Sequence, residues 1–201
     1  MNAEQKNFIE VVGAIASADM KNSGVAASLT TAQAILESAW GKSELTKTGN
    51  ALFGIKDTKD WKGKTLTRKT TEYEDGKKVQ VEAEFRAYDT WEDSVKDHSA
   101  FLKKYKRYAK VIGETDYKEA CNAVAAAGYA SDPEYAKKLI ELIETYELYN
   151  YDTKNTNTDD LGAEDKKYYR VQAGAYRRKE GADLMAEKIK KTGHKDVFVR
   201  M

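Results

Sequence analysis

The sequence predicts an α+β protein: a mainly helical domain carrying one small β-hairpin lobe, followed by a short βαβ piece at its C-terminal end. Three observations carry that expectation. Apolar residues in the first 150 positions recur mostly at three- and four-residue spacing, the period of a helix with one buried face. One Thr-, Val- and Tyr-rich stretch, 65–88, breaks the rhythm around Asp75-Gly76, the dipeptide most typical of a two-residue hairpin loop. The end of the chain reads as strand 168–176, helix 181–192 and strand 196–199.

In chain order, Asn2 caps the first helix and Gln5 answers it three residues on, with Phe8, Val11, Val12 and Ile15 on one face. A second helix runs over 25–40 with Leu29, Ala32 and Leu36 as its buried stripe. Gly41 supplies the left-handed residue that stops it. Within the hairpin, a two-residue loop at Asp75-Gly76 pairs Leu66 with Phe85, Thr70 with Val81 and Glu72 with Val79, all on one side. Thr90 opens a third helix with Trp91, Val95, His98, Phe101 and Leu102 at helical spacing. Asp116, with Glu119 at the reciprocal position, leads into the alanine-rich stretch 121–128. Asp132-Pro133 starts the last helix, where proline is tolerated, and Leu139, Ile140, Ile143 and Tyr146 form its apolar face.

The stretch 153–167 has almost nothing to bury and reads as a linker. The expected organisation is a domain over 1–150, a linker over 151–166 and a module over 167–201. Charge changes sign across that boundary: 166–201 carries eleven Lys/Arg against four Asp/Glu, while the residues before it hold an acidic excess. Some thirty-five residues are too few for an independent core of ordinary stability.

Composition excludes several classes. The net charge of +1 argues against a nucleic-acid binder. No apolar run is long enough to insert in a membrane. The N-terminal residues lack a basic start followed by an apolar stretch, so a secretory leader is absent or removed. A single cysteine, Cys121, allows no internal disulfide or cysteine zinc site, and His98 and His194 lie far apart, so neither metal nor cofactor is expected. Glycine-rich phosphate loops and serine nucleophile elbows are missing. Carboxylates, 13 tyrosines and 3 tryptophans remain, the materials of carbohydrate sites.

Glu37 is the first candidate. It sits in the last turn of its helix among apolar and small residues, where the dipole's negative end and burial both favour the protonated carboxyl that a general acid needs. The competing reading is a surface glutamate paired with Lys42. Glu72 and Glu74 are candidates for a second carboxylate; Glu74 opposes Lys77, whereas Glu72 has no such local partner. Tyr129 precedes a helix start, in a turn that can project into a cleft. Tyr135, on the first turn of that helix, is either a core aromatic or a substrate contact. Trp61 and Tyr88 flank the hairpin and are candidate cleft-lining residues. His98 reads as a core histidine and Cys121 as a buried, inert thiol.

These segments are familiar as a set. Residues 32–43 (AQAILESAWGKS), 50–56 (NALFGIK), 85–94 (FRAYDTWEDS) and 127–133 (AGYASDP) resemble, in order, the motifs of glycoside hydrolase family 73. The resemblance covers roughly residues 5–150. It implies a lysozyme-like α-lobe with a small β-lobe and a groove between them. It also implies an endo-acting N-acetylglucosaminidase that cleaves the β-1,4 bond between N-acetylglucosamine and N-acetylmuramic acid in peptidoglycan. By position, Glu37 matches the general acid, Glu72 the second acidic residue and Tyr129 a tyrosine lining the site. The family's distant carboxylate activates water, or the substrate's own 2-acetamido group attacks. Residues 168–176 with Ala182, Asp183 and 188–190 resemble one half of a sporulation-related repeat (SPOR) domain, which binds peptidoglycan glycan strands. Either the chain is truncated there or two copies pair as a dimer. Such a composition resembles a phage endolysin made in the cytoplasm and released at lysis, or a secreted autolysin whose leader is missing. A muramidase or lytic transglycosylase on the same architecture, and a non-catalytic wall-binding module, are the alternatives.

Overall fold

A computed structural model describes residues 1–74 and 77–153. The chain divides into two units, Met1–Thr158 and Asp159–Met201, and the described residues all belong to the first. The expected hairpin loop at Asp75-Gly76, the linker from residue 154 onward and the βαβ piece lie outside the described residues.

Seven α-helices and one hairpin are described: α1 Ala3–Ser23, α2 Ala27–Ser38, α3 Glu44–Gly49, β1 Lys64–Glu74, β2 Lys77–Ala87, α4 Trp91–Lys104, α5 Tyr117–Ala126, α6 Tyr135–Thr145 and α7 Asn150–Thr153. The expected capping box closes α1: Asn2 accepts from the Gln5 backbone, and the Gln5 side chain accepts from that of Asn2. Thr90 caps α4 and Asp116 caps α5, each through its side-chain oxygen.

Helix α2 lies at the centre, in contact with α1, α5, α6 and α7. Every residue from Ala27 to Ile35 is buried, so this helix has no solvent face until its last turn. Its small residues admit neighbours on all sides, and the expected one-sided stripe is therefore wrong in part. Leu29 and Ala32 are buried, but Leu36 emerges into solvent and Ile35 is the buried residue beside it. Val11 of α1 is likewise exposed, because α1 buries the adjoining row of Phe8, Ile9, Val12 and Ala16 instead. Phe8, Ile9, Val12, Leu29, Ala32 and Ile35 form one continuous core with Leu52, Val95, Leu102, Leu139 and Ile143.

The hairpin register is Leu66 opposite Phe85, Thr70 opposite Val81 and Glu72 opposite Val79, as expected. Its base is fastened to the helical body. Arg86 N donates to Ile55 O at 2.9 Å, Asp57 N to Glu84 O at 2.8 Å, and Tyr88 N to Gly49 O at 2.8 Å. The residues expected to open the linker, Tyr151 and Asp152, are instead helical and attached to the body. Ser17 Oγ donates to Tyr151 O at 2.8 Å, and Ser28 N donates to Asp152 Oδ1 at 2.8 Å.

Candidate active site

The site is built where α2 ends. Ala39, Trp40 and Gly41 adopt φ of 50°, 63° and 75°, three left-handed residues in succession. The expected stop at Gly41 is thus the last of three, and the first falls on an alanine, a conformation that costs a residue with a Cβ about 1–2 kcal/mol. Ser38 holds this turn: its buried hydroxyl donates to Ala34 O at 2.5 Å and accepts from Gly41 N at 2.7 Å. The Trp40 ring is edge-on to Phe8 and Tyr146.

One residue before Ser38, in the last turn of α2, Glu37 is accessible to solvent. Its carboxyl is nonetheless tied down: Tyr135 Oη donates to Glu37 Oε1 at 2.8 Å. Tyr135 is buried at 3% exposure, and its hydroxyl oxygen accepts from Gln33 Nε2 at 3.0 Å. Surrounding protein removes water from the Glu37 carboxyl and raises its pKa above the ordinary glutamate value; the bond from Tyr135 opposes that rise. Lys42 is engaged elsewhere, 2.7 Å from Glu4, so the surface-pair reading of Glu37 does not hold.

The Tyr129 ring lies parallel to that of Tyr135, with centroids 5.9 Å apart, and edge-on to His98 at 5.9 Å. Burial lifts the Tyr129 hydroxyl pKa well above the ordinary value, and the nearby Glu37 charge lifts it further. His98 is fully buried, stacked on Phe53 at 3.9 Å, and held neutral by burial with its pKa pushed down to about 3. It is a core histidine. Cys121 is likewise buried, its thiol pushed up to about 12.

Trp61 and Tyr88 meet edge to face at 5.7 Å beside the hairpin base. Tyr88 is 8% exposed, and its hydroxyl is committed to Asp97 Oδ2 at 2.8 Å. Arg86 donates through Nη1 to both Asp97 oxygens at 3.0 Å and through Nη2 to Thr58 Oγ1 at 3.1 Å, with Trp61 over its guanidinium. Trp61, Phe101 and these charged groups line a cavity of about 200 Å³, together with Lys104 and Asp60, which form an ion pair at 2.9 Å. Each charged side chain on that wall is therefore paired. Phe101 and Tyr129 are edge-on at 6.5 Å, which links this wall to the surroundings of Glu37.

Glu72 lies toward the far end of β1, opposite Val79, and Glu74 opposes Lys77; their side chains are outside the described residues. The structure thus brings Glu37, Tyr129 and Tyr135 together and puts Trp61 with Tyr88 in a neighbouring cluster. Four contributors were missed from sequence. Gln33 had a signal, being one helical turn before Glu37 on the same face. Ser38 had a weaker one, a serine placed to bond back one turn. Arg86 and Asp97 had none, because their pairing depends on how the hairpin docks against α4.

A central buried helix that delivers a carboxylic acid to its exposed end, beside a small antiparallel hairpin, is the arrangement of the lysozyme-like glycoside hydrolases. Residues 13–148 match the family model described as mannosyl-glycoprotein endo-beta-N-acetylglucosaminidase, and the chain belongs to that glucosaminidase family, glycoside hydrolase family 73. A SPOR domain model matches residues 164–200. The exo-glucosaminidase LytG of Bacillus subtilis is 40% identical over 157 residues, which are 76% of this chain and 55% of LytG. The peptidoglycan hydrolase FlgJ of Salmonella typhimurium is 35% identical over 148 residues, 72% of this chain and 47% of FlgJ. The chain therefore spans about half the length of these curated relatives. Among solved structures, the catalytic domain of the autolysin Auto from Listeria monocytogenes superposes with a TM-score of 0.69 at 34% identity, covering 76% of this chain and 89% of that one.

Proposed function

We propose that this chain is a peptidoglycan hydrolase that cleaves the β-1,4 bond between N-acetylglucosamine and N-acetylmuramic acid, with Glu37 as the proton donor. One observation carries the reading: a solvent-accessible carboxyl whose pKa is raised by its surroundings, fixed by a buried tyrosine at the end of the central helix. An acid of this kind holds its proton to higher pH than an ordinary glutamate and can release it to a departing sugar oxygen. Relatives named exo-glucosaminidase and peptidoglycan hydrolase support the substrate class.

In this reading Tyr129 lines the cleft next to Glu37 and Tyr135 acts through its hydroxyl, since its ring is buried. Glu72 is the second carboxylate, with Glu74 as the alternative. A carboxylate on the hairpin, far from Glu37, leaves room for the water that an inverting reaction activates; attack by the substrate's 2-acetamido group needs no such residue. Trp61 borders the sugar path, while Tyr88 clamps the hairpin base through Asp97. The chain acts on the cell wall. Its basic SPOR module holds it on glycan strands and, if it is half of a binding unit, pairs with a second copy.

The test is product analysis on purified peptidoglycan. The expected products are fragments with reducing N-acetylglucosamine ends, by mass spectrometry after borohydride reduction. Reducing N-acetylmuramic acid or anhydro-muramic ends overturn the bond assignment. Glu37→Gln is expected to lower turnover by about 10² or more, and Glu72→Gln with unchanged turnover removes Glu72 from the mechanism.

A further inference from the structure

We propose that Gln33 and Tyr135 form a one-way hydrogen-bond chain that holds the proton of Glu37 on Oε2 and so presents it to the substrate. The inference rests on the reading of Glu37 as the acid and adds two positioning residues to it.

Counting protons assigns each bond its direction. Tyr135 Oη is within bonding distance of two groups, Gln33 Nε2 at 3.0 Å and Glu37 Oε1 at 2.8 Å. An amide nitrogen can only donate, so the hydroxyl oxygen accepts from Gln33. The single hydroxyl proton then goes to Glu37, and Oε1 must be an acceptor. A proton on Oε1 would face the tyrosine proton head-on. The conflict would be relieved by turning the Gln33 amide end for end, or by swinging the tyrosine proton away from both partners, which leaves that proton unbonded beside a buried ring. Gln33 is fully buried on the central helix, closed in on all sides. Its carbonyl oxygen has no hydrogen-bond partner among the described residues. An unsatisfied buried amide oxygen costs on the order of 1–3 kcal/mol. The amide bears that cost in the orientation that lets Gln33 donate to Tyr135. Glu37 Oε2 has no bonded partner among the described residues, and the acid proton resides there.

This fixes the catalytic step. The O–H bond at Oε2 breaks, its electron pair stays on the carboxyl, and the proton forms a new O–H bond on the glycosidic oxygen. The electrons of the C1–O bond leave with that oxygen, the sugar carbon is completed by a hydroxyl derived from water, and the proton that water gives up restores, over the cycle, the one Glu37 has lost. Negative charge developing on Glu37 is shared with Oε1. There the bond from Tyr135 becomes charge-assisted and stronger as the reaction proceeds. Tyr135 therefore favours release of the proton. Gln33 never touches substrate; it acts by keeping the tyrosine hydroxyl pointed at Glu37.

The experiment is the pH–rate profile on peptidoglycan for the full chain and for Tyr135→Phe and Gln33→Leu, with folding checked by circular dichroism. Activity of a general acid falls as pH rises through its pKa, so Glu37 sets the alkaline limb. Tyr135→Phe removes the bond that lowers this pKa, and the limb moves to higher pH. With the acid less well aimed, kcat falls by about 10-fold or more while KM stays within about twofold. Gln33→Leu moves the limb in the same direction by a smaller amount. An unmoved limb in both variants, or a shift to lower pH, overturns the chain; if only one variant folds, that variant decides. Failure of the underlying reading looks different: Glu37→Gln then retains wild-type turnover whatever the two variants do.

Discussion

Glu37 combines two demands that oppose each other. As the proposed proton donor it must be reachable by substrate, and it must hold its proton more tightly than an ordinary glutamate does. The structure exposes the residue at a helix end while packing protein against its carboxyl, which raises its pKa. That arrangement has a cost in stability, and the sign follows from linkage. With the folded pKa above the unfolded one, the native state binds more protons in the window between them, so stability falls as pH rises through it. Glu37→Gln, which cannot ionise, is expected to melt at a higher temperature than the wild type at pH 7 and at the same temperature near pH 3. A lower melting temperature for the variant at pH 7 contradicts the raised pKa. His98 shows the complementary case: a depressed pKa of about 3 means that its contribution is complete above the ordinary histidine value and is lost as pH falls toward 3.

At the level of the element, α2 organises the site. Its C-terminal end is a tight left-handed turn stapled by Ser38, and its N-terminal end is capped from a distance. Ala26 offers no side-chain cap, and Asp152 of α7 takes the Ser28 N–H instead. Asp152→Ala is expected to destabilise the fold by about 1 kcal/mol, the usual loss of a helix N-cap. The measurement is denaturant unfolding, and an unchanged midpoint refutes the role. The hairpin illustrates the other limit. A two-residue loop and strict alternation were enough to place its register from sequence, because a slip of one residue would send every inward side chain outward. Helix α2 defeated the same kind of reasoning at Leu36, since a helix buried all round has no stripe to detect.

For the whole molecule, the family match ends at residue 148, but the folded body continues through α7. Two truncations separate these boundaries. A chain ending after residue 153 is expected to keep the full-length melting temperature of the catalytic unit and to lose retention on sedimented peptidoglycan. One ending after residue 148 lacks Asp152 and Tyr151, whose ring covers Gly13, and is expected to melt several degrees lower, by about 4 °C or more. Equal melting temperatures for the two remove α7 from the fold.

Much about this protein was already determined along the chain. The caps at Asn2, Thr90 and Asp116, the hairpin register and the motif order are local, set by neighbours a few residues apart. Such short-range geometry is readable from spacing. The tertiary structure alone decided that Lys42 pairs with Glu4, that Tyr135 reaches Glu37 across 98 positions, and that Gln33 bonds to the Tyr135 hydroxyl. It also decided that Asp152 caps a helix 124 residues away. Those contacts depend on which helix faces which, and the pKa of a carboxyl that ordinary spacing could only nominate rises when the fold takes water from around it.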